Sequence, residues 1–165
     1  MASAANLPAG VPMAQHFDAW LERLKGDDLP VLRRTAKELA RLAAKGEKAS
    51  VAEIADAILL DPLATLKVLQ VANSLRRGRF GSEITTIEHA VMMLGLPPFF
   101  ARFGNLPVVE DRLGGQPQAL QRLLSLLSRS HHAAVYAGDW AVWHKDMKAE
   151  EIYIAALLQG WIQTL

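Results

Sequence analysis

Apolar residues in this chain recur at three- and four-residue spacing in segment after segment. Nowhere do they alternate with polar residues over more than about four positions, and no Asn-Gly or Asp-Gly hairpin turn occurs. Such a chain can bury its apolar surface only as packed helices, so the pattern predicts an all-α domain of seven or eight short helices. Helix starts and stops are written into the same stretches. Ser50-Val51-Ala52-Glu53 has the form of a capping box, in which the Ser caps the third amide and the Glu reaches back to the Ser amide. Asp61-Pro62 supplies a good N-cap followed by the residue best suited to the first helical position. Gly46 and Gly95 stand where helices should stop.

Taken in order, residues 1–12 form a small-residue leader, and 13–25 place Phe17, Trp20, Leu21 and Leu24 at helical spacing. Residues 1–28 are therefore read as a leader with a first helix, and 29–165 as the domain proper. Within it, helices are expected from about Leu32 to Gly46, from Ser50 to Leu59, and from Pro62 to near Asn73. The next begins after Thr85 or Thr86 and ends at Gly95, and a short one opens on Pro97-Pro98. A polar, Gly-rich stretch at 111–118 precedes a long helix from about Gln118 to Gly138. The last helix begins near Lys148 and runs through AALLQGWIQTL, where no Gly, Pro or terminal basic residue marks an end.

Composition excludes several functions. Of 165 residues, 51% are hydrophobic, enough for a core, and the net charge of +1 gives no general attraction to nucleic acid or acidic membranes. Cysteine is absent, which removes disulfides, thiolate catalysis and Cys-ligated metals. The N-terminus lacks a secretory signal pattern. The longest clean apolar run, residues 152–158, is far short of the roughly 20 residues a bilayer requires. A soluble cytoplasmic protein without membrane association is expected. There is no HExxH, no His-Asp pair, no Gly-x-Ser-x-Gly elbow and no phosphate-binding glycine loop. His131 and His132 are adjacent, so on a helix they point about 100° apart and cannot share an ion. No catalytic residue, metal ligand or cofactor is assigned.

The concentrated basic feature is the loop after the third domain helix. Asn73, Ser74, Arg76, Arg77, Arg79 and Phe80 form the candidate site for a ligand or partner, since Arg can grip phosphate bidentately and Phe can stack on a base. A solvated loop is the plainer reading. Met92-Met93 and the tryptophans Trp140, Trp143 and Trp161 suit a core or an interface better than a ligand box.

From Leu29 onward the order of segments is similar to a known family. Leu29-Pro30, Asp61-Pro62, Ala72-Asn73-Ser74, Ile84-Thr85-Thr86-Ile87 and Leu94-Gly95 occur in sequence and at matching spacing. Together they resemble the HDOD domain, the HD-related output domain of bacterial signalling proteins. The resemblance implies an HD-superfamily-like helical bundle and a non-enzymatic signalling role, because the family has lost the metal-binding residues of HD phosphohydrolases. Here Arg129 falls where a related enzyme has His, unless the register slips to His131 or His132. Leu157-Leu158 precede Gln159-Gly160, which stand in place of the His-Asp pair.

The resemblance also implies further helices beyond Leu165, so the domain is expected to be C-terminally incomplete. On that reading Leu157, Leu158 and Trp161 would be exposed and could mediate self-association. The expected partners are other signalling proteins. A nucleotide- or RNA-binding module using residues 76–80 is the alternative, and a metal-dependent phosphohydrolase is the third reading.

Overall fold

Eight α-helices account for most of the described residues, 29–76 and 83–162 of the computed structural model; at 160–162 the description extends to the backbone alone. The expected first helix at 13–25 lies outside the described residues. The all-α class holds: the only strand-like pairing among the described residues is an isolated parallel bridge between Val31 and Val108. No described helix is long and apolar enough to cross a membrane.

Helix α1 (Arg33–Lys45) turns Leu39 and Leu42 inward, ends at Gly46 with φ 58°, and passes through a short 3-10 turn at Gly46–Lys48. Only glycine reaches that backbone conformation without strain. Helix α2 (Val51–Leu59) starts from the complete capping box, with Glu53 N donating to Ser50 Oγ at 3.1 Å and Ser50 N donating to Glu53 Oε2 at 3.0 Å. The Lys45 ammonium and the Ser50 amide hold the Glu53 carboxyl down at about 2. Helix α3 (Pro62–Arg76) runs past the expected stop at Asn73. It is the central helix, burying Leu63, Ala64, Val68, Val71 and Ala72 on more than one face.

Thr86, not Thr85, caps α4 (Ile87–Leu94), whose end is Gly95 at φ 79°. Helix α5 (Leu96–Phe103) opens on Pro97 and Pro98 and drives Phe99 and Phe103 into the core, their rings 4.8 Å apart. A single turn, α6 (Val109–Arg112), interrupts the stretch expected to be a polar loop. The bridge holds it, with Val31 N donating to Pro107 O and Val109 N donating to Val31 O, both at 2.9 Å.

Helix α7 (Pro117–Trp143) has 27 residues and spans about 40 Å. The long helix expected from about Gln118 is present, but Gly138 does not end it. Its missing side chain instead admits a neighbour: a Cβ at 138 would sit 3.2 Å from the ring of Tyr153 on α8 (Ala149–Ile162). The α7–α8 pair forms an antiparallel hairpin laid against the rest. Its two ends serve different clusters. Leu127 in the first half of α7 packs with Leu29, Leu32, Leu63 and Val109, while Ile154 of α8 joins the main core of α1 to α5.

Carboxylates distant in sequence finish the helix starts that local residues leave open. Leu32 offers α1 no side-chain cap. Glu110 takes its place, accepting from Arg33 N at 3.0 and 3.2 Å, while Arg33 reaches Asp111 at 2.6 Å. The wholly buried Asp61 accepts from Leu32 N at 2.8 Å through one oxygen and from Leu63 N and Ala64 N at 3.0 and 3.4 Å through the other.

Candidate functional site

Asn73 is the first of the sequence-derived site residues, and its amide is spent inside the fold. Its Nδ2 donates to Leu69 O at 3.0 Å and to Ile84 O at 2.9 Å, and its Oδ1 accepts from Ile84 N at 3.0 Å. The side chain thus pairs with both backbone groups of Ile84 as a neighbouring strand would. The Ser74 hydroxyl donates to Val71 O at 2.8 Å on an exposed turn, and Arg76 is half-buried at the end of α3. Arg77, Arg79 and Phe80 lie outside the described residues. Asn73→Ala leaves two Ile84 backbone groups short of partners at a buried residue, and we expect a loss of about 2 kcal/mol, read as a lower urea midpoint. Asn73→Asp keeps one acceptor but sets a carboxylate against two carbonyls, so it should be no better tolerated.

The acidic pair Glu150-Glu151 stands in the first turn of α8 and grips the entry to α4. Glu150 Oε1 accepts from Ile87 N at 3.0 Å, and Thr85 Oγ1 donates to Glu151 Oε1 at 3.0 Å. Burial raises the Glu150 carboxyl above its ordinary value, against the pull of the Ile87 and Glu88 amides. Nothing at Glu150 in the sequence signals a partner 63 residues away.

Between α2, α7 and α8 sits a node of titratable side chains. The Tyr153 hydroxyl donates to Leu59 O at 3.0 Å and lies 3.1 Å from His131 Nδ1. With the phenol proton committed to the carbonyl, the imidazole is the donor to the phenol oxygen. Arg34 donates to Leu60 O at 2.5 Å beside them. Burial lowers the His131 pKa, and the Arg34 and His132 charges lower it further. Burial also raises the pKa of Tyr153.

The positions that the sequence resemblance sets against the metal ligands of HD enzymes carry no side chain suited to a metal. Arg129 is cationic and exposed on α7, and Gln159 is exposed on α8. Gly160 continues the helix and has no side chain to offer. His131, the nearest alternative, is bonded to Tyr153 as described. Among the described residues no group of three His, Cys, Asp or Glu side chains is arranged to hold an ion.

Where the sequence placed a self-association surface, α8 turns inward instead. Leu157 is 0% exposed, and Leu158 packs against the main core; the Trp161 side chain lies outside the described residues. Exposed apolar surface collects on the second half of α7. Tyr136, Trp140 and Trp143 are 75%, 62% and 79% exposed and follow one another at i, i+4 and i+7 on one face, with the His144 ring folded against Trp140 at 4.0 Å. Around the helix from them, Val135, Gly138, Asp139 and Val142 form one wall of an open groove of about 510 Å³. Ala149, Glu150 and the Tyr153 ring of α8 form a second wall. Asp56, Leu59 and Leu60, at the end of α2, close it. The sequence marked Trp140 and Trp143 as core or interface residues but carried no sign of the groove, whose walls come from three helices up to 97 positions apart.

Residues 29–161 match the family model described as the HDOD domain, the greater part of the chain. No curated protein and no solved structure matches it.

Proposed function

The chain belongs to the HDOD domain family, a signalling-associated group related to HD domains, and from that membership we propose that it is a non-enzymatic module that acts by binding other proteins. The observation that carries this reading is the aromatic face of α7, which no described residue covers. Three large rings on one helix exceed what scattered surface apolar residues ordinarily supply, and Trp and Tyr dominate the energetics of protein interfaces. The residues at the aligned metal positions support the same reading from the other side. A guanidinium and a carboxamide, both turned to solvent, offer neither a ligand set nor a base.

The test pairs a binding measurement with a catalytic one. Tagged full-length chain is used to capture partners from cells after cross-linking, beside a Trp140→Ala/Trp143→Ala variant. The same preparations are assayed with nucleotides in the presence of Mn²⁺ or Zn²⁺. Partners lost in the variant, with no hydrolysis above background, are expected. Metal-dependent hydrolysis without any recovered partner would sink the proposal.

A further inference from the structure

We propose that the groove between α2, α7 and α8, together with the aromatic stripe beside it, is the docking site for an amphipathic helical segment of a partner protein that bears Arg or Lys next to its apolar face. This rests on the interaction reading above and specifies the partner's chemistry. Val135, Leu59, Leu60 and Val142 give the groove an apolar lining, and the volume suits one or two aliphatic side chains. Its charge is of one sign. Asp56, Asp139 and Glu150 line it, and among the described residues no Lys, Arg or His does. Glu150 is already engaged by the Ile87 amide. Among the described residues Asp56 and Asp139 have no ion-pair partner. On neighbouring elements Arg34 donates to the Leu60 carbonyl from beside the groove, its charge reaching Tyr153, and Lys148 pairs with Glu151.

The second observation comes from helix geometry. At about 100° per residue, Tyr136, Trp140 and Trp143 lie roughly a third of a turn from the groove-facing stripe of α7, with Asp139 between the two. A helix laid along the groove would therefore meet carboxylates and electron-rich rings on the same flank. Guanidinium and ammonium groups are attracted to both.

The charge pattern also decides against other occupants. A two-fold pairing of identical copies would set this acidic patch against itself. Residues 13–28 of this chain carry Asp18, Glu22, Asp27 and Asp28 against Arg23 and Lys25, a net charge of −2 and the wrong sign for an acidic groove. Nucleic acid and anionic lipid would be repelled.

The test titrates the full-length chain with two synthetic helical peptides, each presenting Leu at i, i+3, i+4 and i+7, one flanked by Arg and the other by Glu. Binding is followed by calorimetry and by tryptophan fluorescence. The Arg peptide is expected to bind at least tenfold more tightly than the Glu peptide. Asp56→Lys/Asp139→Lys and Trp140→Ala/Trp143→Ala should each weaken it by about tenfold or more, with circular dichroism unchanged. Equal binding of the two peptides, or binding unmoved by both variants, overturns the assignment. So does a dimer in sedimentation of the free chain that Trp143→Ala dissociates. A tenfold gain in peptide affinity on deleting residues 1–28 would hand the groove to the chain's own segment and overturn it equally. Should the cellular partners be recovered undiminished by the groove variants, this inference falls while the interaction reading stands; hydrolysis without partners removes the interaction reading itself.

Discussion

Asp61→Ala is expected to lower the unfolding free energy by about 3 kcal/mol, visible as a melting temperature lower by about 6–12 °C. The carboxylate is fully buried and works on two helices at once. One oxygen takes the Leu32 amide at the head of α1, and the other takes the Leu63 and Ala64 amides in the first turn of α3. Alanine would strand these donors where water cannot reach them, and an unmet buried donor costs more than a made bond contributes. The Thr35 hydroxyl also faces the carboxylate closely enough to pull its pKa down, though it completes no well-formed bond. Asparagine keeps one accepting oxygen but turns an amino group toward a donor, so Asp61→Asn should recover only part of the loss.

The same residue sets a pH dependence. Burial outweighs the amides and raises the Asp61 pKa in the folded protein. The folded state then holds this proton at a pH where the unfolded chain, with a carboxyl pKa of about 4, has released it. Stability from this group is therefore full below the unfolded value and declines as pH rises through the folded one. Urea unfolding at pH values from 4 to 7 should show a falling component in the wild type that Asp61→Ala lacks. The depressed Glu53 and Glu38 carboxyls act in the opposite direction in both proteins. The raised Glu150 carboxyl acts in the same direction as Asp61 and remains in the variant.

What the sequence made legible is what neighbouring residues decide among themselves. Ser50 and Glu53 are three apart and cap each other; Asp61 and Pro62 start α3; Gly46 and Gly95 end helices by taking positive φ. Each of these needs only one turn of chain. The errors have one physical source, a partner from far along the sequence. Asn73 reads as a helix end with a free amide, yet Ile84 across the 77–83 segment uses it. Gly138 reads as a stop, yet its role is to let Tyr153 approach α7. Glu150 stands in a first helical turn as acids commonly do, yet it caps α4 from 63 residues away, and Glu110 caps α1 from 77. The groove is legible only once α7 and α8 are folded against α2. No spacing rule connects Asp56 to Asp139.

Leu157 and Trp143 divide the apolar residues of the hairpin into those that hold the fold and those left for something else. Helix α8, which carries the longest clean apolar run, is the one turned inward. Helix α8 carries Ile154, Leu157 and Leu158 at i, i+3 and i+4, and the first two are buried. Leu157→Ala should therefore cost about 3 kcal/mol through lost burial and the cavity left behind. Being an intramolecular effect, that loss should be the same at micromolar and at hundredfold higher protein concentration. Trp143→Ala removes a larger side chain from a site 79% exposed, so the free chain's unfolding should move by less than about 0.5 kcal/mol. Chemical denaturation of both variants at two concentrations reads the difference directly. A concentration-dependent loss at Leu157 would return α8 to the role of an association surface, whereas a large loss at Trp143 would mean that its ring is already packed in the free protein. The expected pairing, a costly Leu157 and a nearly silent Trp143, is that of an α8 face buried in the core beside an α7 face that the described residues leave open.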